Sequence, residues 1–105
     1  MRVVLAPLAA SDLEEAYRYL SQTGGLGADR LLLRVSETLG LLSSGLDIGR
    51  WVTLRDGRRV QSWPMPPYRI FYRLTGEELQ VVRIYHQARR PLERQPRRKP
   101  REPET

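Results

Sequence analysis

Two short runs, Tyr68-Arg69-Ile70-Phe71-Tyr72-Arg73 and Leu79-Gln80-Val81-Val82-Arg83-Ile84-Tyr85-His86, stand either side of the polar stretch Thr75-Gly76-Glu77-Glu78. Both are rich in β-branched and aromatic residues, so together they predict an antiparallel hairpin. Successive strand residues point to opposite faces. Arg69, Phe71 and Arg73 therefore share one side, and Tyr68, Ile70, Tyr72 and Leu74 share the other. By the same alternation Val81, Arg83 and Tyr85 part from Val82, Ile84 and His86. Such a sheet buries its aliphatic face and offers guanidiniums and aromatic rings to a partner.

The segments before the hairpin supply what covers it. Arg2-Val3-Val4-Leu5-Ala6 reads as a short strand ended by Pro7, and Ser11-Asp12-Leu13-Glu14 as a capping box opening a helix. Leu13, Ala16, Tyr17 and Leu20 follow at helical spacing until Gly24-Gly25-Leu26-Gly27. A second helix is expected over residues 28–42, with Ala28, Leu32, Val35, Leu39 and Leu42 as its apolar stripe, widened by Leu31 and Leu41. The glycine-rich link folds the two helices into an antiparallel hairpin. Residues 51–54 and 58–63 form two more strands around Asp56-Gly57, a pair suited to a two-residue turn with positive φ at both positions. Pro64-Met65-Pro66-Pro67 is a rigid connection. With 58–63 counted as the better marked of those two strands, the order β-α-α-β-β-β, helices before an antiparallel sheet, belongs to the α+β class.

A chain of 105 residues supports one domain. At this size only about 60–70% of the unfolded chain's surface is hidden on folding, so a partner can contribute much of the stability. Cysteine is absent, which excludes disulfides, thiolate metal sites and a cysteine nucleophile. Neither a signal peptide nor an apolar run of spanning length is seen, which places the expected location in the cytoplasm, with no membrane contact. The charge of +6 is uneven: residues 89–105 hold seven basic and three acidic side chains. Four prolines there deny a regular helix. The expected organisation is a domain over residues 1–91 and a basic, proline-rich flexible tail over 92–105. That tail either attracts nucleic acid or an acidic protein, or is simply solvated.

Several pieces taken in order carry a resemblance. They are Val4-Leu5-Ala6-Pro7, Asp12-Leu13-Glu14-Glu15-Ala16-Tyr17, Ile48-Gly49-Arg50, the strand from Tyr68 to Arg73, and Val82-Arg83-Ile84-Tyr85-His86 with Arg89-Arg90. The chain resembles the RelE/ParE superfamily of toxins from type II toxin–antitoxin pairs, and within it the ParE-like branch. The resemblance implies a toxin that arrests growth, is neutralised by a cognate antitoxin in a hetero-oligomer, and needs no cofactor or metal. RelE-like members cut messenger RNA on the ribosome, whereas ParE-like members block DNA gyrase by binding it.

The residues discriminate between those activities. RelE-type chemistry draws on lysines, but the sole lysine here is Lys99 in the tail, and Arg55, Arg58 and Arg59 are poor bases. A ribosome-dependent nuclease would have to use Arg69, which matches the family's catalytic strand arginine, with His86, Arg89 and Arg90. His86 either serves acid–base chemistry or anchors the strand end by hydrogen bonds within a His-x-x-Arg-Arg ending. The expectation is no catalysis, with Arg69, Phe71, Arg73, Arg83, Tyr85, Arg89 and Arg90 as the target-binding face. The bland alternative for the arginines is a solvated sheet surface. Tyr17 and Tyr72 are expected in the core with surface hydroxyls. Trp51 and Trp63 stack on a base or pack beside the prolines, and Asp47 pairs with Arg50. An apolar, partly acidic antitoxin segment is expected along the helix hairpin and the sheet edge.

Overall fold

The computed structural model describes residues 1–94. Its elements run β1 (Arg2–Leu5), α1 (Pro7–Gln22), α2 (Gly27–Leu42), β2 (Arg50–Thr53), β3 (Arg59–Met65), β4 (Tyr68–Leu74) and β5 (Glu78–His86). The first helix begins a turn earlier than the Ser-x-x-Glu pattern predicts. Pro7 sits at its start, where a missing N–H costs nothing and the fixed φ already suits a helix, so Ser11 to Glu14 fall inside it. Thr23 closes α1 by donating both its N–H and its hydroxyl to the Leu20 carbonyl. Gly24 and Gly25, at φ +76° and +75°, then reverse the chain.

The helices pack on one face of a five-stranded sheet ordered β1-β5-β4-β3-β2. The architecture is α+β with a mixed sheet. Consecutive strands from β2 to β5 are antiparallel, but β1 lies parallel to β5, with Arg2 opposite Glu78 and Leu5 opposite Val81. At the β2–β3 turn only Gly57 takes a positive φ, because Asp56 spends its carboxylate accepting from the Arg58 backbone N–H and guanidinium. Pro64 and Met65 belong to β3, so the rigid connection shrinks to Pro66-Pro67, joined by a cis bond.

The helix-side core gathers Ala9, Leu31, Val35, Leu39 and Leu42 against Tyr68, Ile70, Tyr72, Leu79, Val81 and Ile84. In α2 Leu31 is buried along with Ala28, Val35, Leu39 and Leu42, while Leu32 and Leu41 are exposed, which narrows the predicted stripe. A second cluster occupies the other face: Val52, Leu54, Val60, Phe71 and Val82, with Tyr85 and Leu92 packed against it. The face expected to be open is therefore partly an apolar core.

A register shift explains which β5 residues reach which side. Phe71 pairs with Arg83 but Tyr72 pairs with Val81, so Val82 is an extra residue, a β-bulge. Val81 consequently joins the helix-side core and Val82 the opposite cluster, the reverse of simple alternation. Beyond the bulge the expected phase returns, and Arg69, Phe71, Arg83 and Tyr85 share a face as cross-strand neighbours.

Tyr72 is fully buried, hydroxyl included, rather than reaching the surface. Gly49 lies beside the oxygen but outside hydrogen-bonding geometry, so the hydroxyl has no partner among the described residues. Burial pushes the Tyr72 pKa above its ordinary 10.0, and does the same to Tyr68. The unfolded chain then ionises these rings first. Their contribution to stability is complete below pH 10.0 and is lost as pH rises through the folded values. Tyr72→Phe removes an unpaired buried polar group and is expected to stabilise the fold by about 1 kcal/mol. Thermal melts at about pH 9 and pH 11 should also show a smaller alkaline loss in the variant than in the wild type.

The expected domain boundary after residue 91 falls inside a segment that pairs with the sheet. Leu54 and Glu93 form an antiparallel bridge, Arg55 N–H donates to the Leu92 carbonyl at 2.8 Å, and Arg94 N–H donates to the Thr53 carbonyl at 2.7 Å. Residues 92–94 thus strap the outer edge of β2. The remainder of the predicted tail, including Lys99, lies outside the described residues.

Candidate binding face

On the side of the sheet away from the helices, the pairing sets Arg50, Ser62, Phe71 and Arg83 in one cross-strand row and Pro64, Arg69 and Tyr85 in the next. Arg69 is anchored by its Nε, which donates to Ser62 Oγ at 2.8 Å. The chain then leaves β5 and crosses this face. Tyr85 Oη donates to the Arg90 carbonyl at 2.7 Å, and Leu92 docks on the apolar cluster. Between strap and sheet lies a cleft of about 360 Å³, lined by Arg50, Arg69, Arg89 and Arg94 over Phe71, Tyr85 and Leu92. Its one carboxylate, Glu93, is paired with Arg50 at 3.2 Å. Such a cleft suits an anion or an acidic peptide.

The seven residues expected to bind a target are not equivalent. Arg69, Arg89 and Tyr85 line the cleft. Phe71 is buried, so it forms the floor and is not an exposed contact. Arg83 is committed elsewhere: its Nε and Nη2 donate to Asp12 at 2.7 and 2.8 Å, and its guanidinium lies 5.0 Å from the Tyr85 ring centre. Hydrogen bonding to Asp12 raises its pKa further above the ordinary arginine range. Arg73 stands exposed further along β4, outside the cleft lining. Arg90 is exposed and contributes its carbonyl to Tyr85.

His86 belongs to the other side. Its Nδ1 accepts from the Ala88 N–H at 3.0 Å, and its ring meets Tyr68 edge-on with centres 5.2 Å apart. It lines an adjoining groove of about 340 Å³ against α1, with Asp12, Glu15 and Tyr19; Tyr85 and Arg89 border both this groove and the cleft, and Arg89 pairs with Glu15 at 3.3 Å. The four residues of the nuclease alternative are thus divided: Arg69 lies on one face and His86 on the other.

Arg50 and Arg94 are cleft residues that sequence reasoning missed. The signal for Arg50 is its parity with Val52 at the start of β2, although its nearness in sequence to Asp47 favours a loop pair. Asp47 instead accepts from Gln61 Nε2. Trp63 packs against the helix-side core, and Trp51 is half exposed with the Arg59 guanidinium 5.6 Å from its ring centre. Among the described residues no group of three His, Cys, Asp or Glu is placed to hold a metal ion. No helix among them is long and apolar enough to cross a membrane.

Comparison with known proteins gives a family. A model of the ParE toxin of the type II toxin–antitoxin system, parDE, matches residues 3–91. Among solved structures, the chromosomal ParDE toxin–antitoxin system from P. aeruginosa superposes with a TM-score of 0.58 at 22% identity, covering 82% of this chain and 95% of that one. A search of curated proteins finds no match. The strand, helical hairpin and mixed sheet are the fold of that structure, and with the match running over nearly the whole described chain, this protein belongs to the ParE toxin family of type II toxin–antitoxin systems.

Proposed function

We propose that this toxin arrests growth in the cytoplasm by binding DNA gyrase, and does so through the arginine cleft without chemistry of its own. The observation that carries this reading is the separation of Arg69 from His86 across the sheet. Cleavage of RNA by a 2′-hydroxyl needs a base within reach of the cations that hold the phosphate. The cleft holds arginines, which stabilise anions but are poor bases. Its single carboxylate is tied to Arg50. A binder needs none of that machinery. Arg69 and Arg89 contact the target, Tyr85 holds the strap, and the antitoxin, expected along the helix hairpin and the sheet edge, covers the α1 side of that hairpin and the β1 edge, where Leu8, Tyr19 and Val3 are exposed.

The test is inducible expression with supercoiling and transcript integrity followed together. Wild type is expected to inhibit gyrase and break DNA while leaving transcripts whole. Arg69→Glu and Arg89→Glu should each cut inhibition at least tenfold. His86→Asn, which retains an acceptor for the Ala88 N–H, should remain toxic. Transcripts cut within codons, together with loss of toxicity in folded His86→Asn, would establish the nuclease instead.

A further inference from the structure

The outer face of α2 carries a pattern the toxin function does not absorb. Leu26 and Leu33 stand seven residues apart, 61% and 59% exposed, and Leu33 lies on the side of the helix opposite Leu31, Val35 and Leu42. Leu41, also exposed, extends the stripe toward the C-terminus. A Cβ on Gly40 would meet nothing within 4 Å, so another backbone can approach there. Arg30 and Glu37, also seven apart, stand beside Leu26 and Leu33 on the shoulder toward Leu41. Among the described residues neither makes an ion pair.

We propose that this face docks against the same face of a second copy, α2 antiparallel to α2, forming an isologous dimer. The charge order selects both occupant and direction. In an antiparallel pair of helices, residues on the same shoulder face each other. A two-fold axis beside Leu33 then sets Arg30 of each copy against Glu37 of the other, twice over, and brings Leu26 against Leu41. A parallel, in-register pair would instead set Arg30 level with Arg30. The surface is self-complementary in only the first arrangement. Its few leucines make a small interface, so association is weak and concentration-dependent. The cleft around Arg69 lies across the sheet and stays open in the dimer.

Sedimentation velocity of the purified chain over a concentration series tests this. The weight-average mass should climb towards twice that of the chain. Arg30→Glu and Glu37→Arg each create two like-charge contacts and should each weaken the dimer about tenfold or more. The double variant restores opposite charges and should return to within about threefold of wild type. All three positions are exposed, so circular dichroism should show unchanged folding, and Leu33→Glu should leave only monomer. A chain that stays monomeric, with Leu33→Glu weakening only its antitoxin complex, overturns the proposal. So does a dimer that the single reversals leave intact or the double reversal fails to rescue.

Discussion

Replacing Asp12 by alanine is expected to cost about 3–5 kcal/mol, a large part of the stability of a domain this size. Asp12 Oδ2 accepts from Arg83 Nε at 2.7 Å and from the Ile84 backbone N–H at 3.1 Å, while Oδ1 accepts from Arg83 Nη2 at 2.8 Å. The pair is largely shielded, with side chains 8% and 17% exposed. β1 stops pairing at Val81, where the Ala6 N–H makes the last contact, so beyond it Asp12 completes the edge of β5 in place of a strand. Alanine would strand a guanidinium and an N–H together. The melting temperature should fall by on the order of 15 °C or more. Asp12→Asn keeps acceptor capacity and should lose less. Asp12→Ala combined with Arg83→Met should recover part of the loss, because the unpaired cation is gone. A single-variant loss under 1 kcal/mol by denaturant titration would refute this account.

Gly49→Ala should cost nearly as much, about 3 kcal/mol, through overpacking. A Cβ there would lie 2.0 Å from Tyr72 Oη, 2.7 Å from Tyr72 Cζ and 3.0 Å from Gln61 Cβ. The glycine is required by space, since its φ is not in the left-handed region. Neither neighbour can retreat: Tyr72 is enclosed in the core, and Gln61 is held by Asp47 and by the Gly49 carbonyl at 3.2 Å. Tyr72→Phe removes the nearer atom and should relieve part of the penalty, so the double variant should be more stable than additivity predicts, as read by chemical denaturation. Equal stability of Gly49→Ala and wild type would show that the loop shifts freely.

The β4–β5 pairing, the helical hairpin and the α+β order were legible because each rests on local periodicity. Where sequence reasoning failed, a distant contact had overridden the local pattern. One unpaired residue at Val82 reversed the facing of Val81, and no feature of Val81-Val82 announces a bulge. Arg83 looked like a binding residue by alternation, yet its partner Asp12 is 71 positions away. Phe71 read as an exposed ring because the strap that brings Leu92 over its side of the sheet is invisible to a strand-by-strand reading. The family resemblance supplied the fold and the antitoxin; the split between Arg69 and His86 was legible in the strand alternation, which sets His86 with Ile84 on the helix side.

The parallel pairing of β1 with β5 joins the first structured residues to the last strand of the sheet, Arg2 to Glu78. During synthesis the N-terminal strand emerges early and waits unmatched until almost the whole domain has left the ribosome. A chain released prematurely, short of β5, lacks the strand that joins β1 to β4 and so has no seat for its first strand. Translation that stops before β5 (Glu78–His86) is made should therefore yield unfolded, protease-sensitive fragments in place of partial toxin.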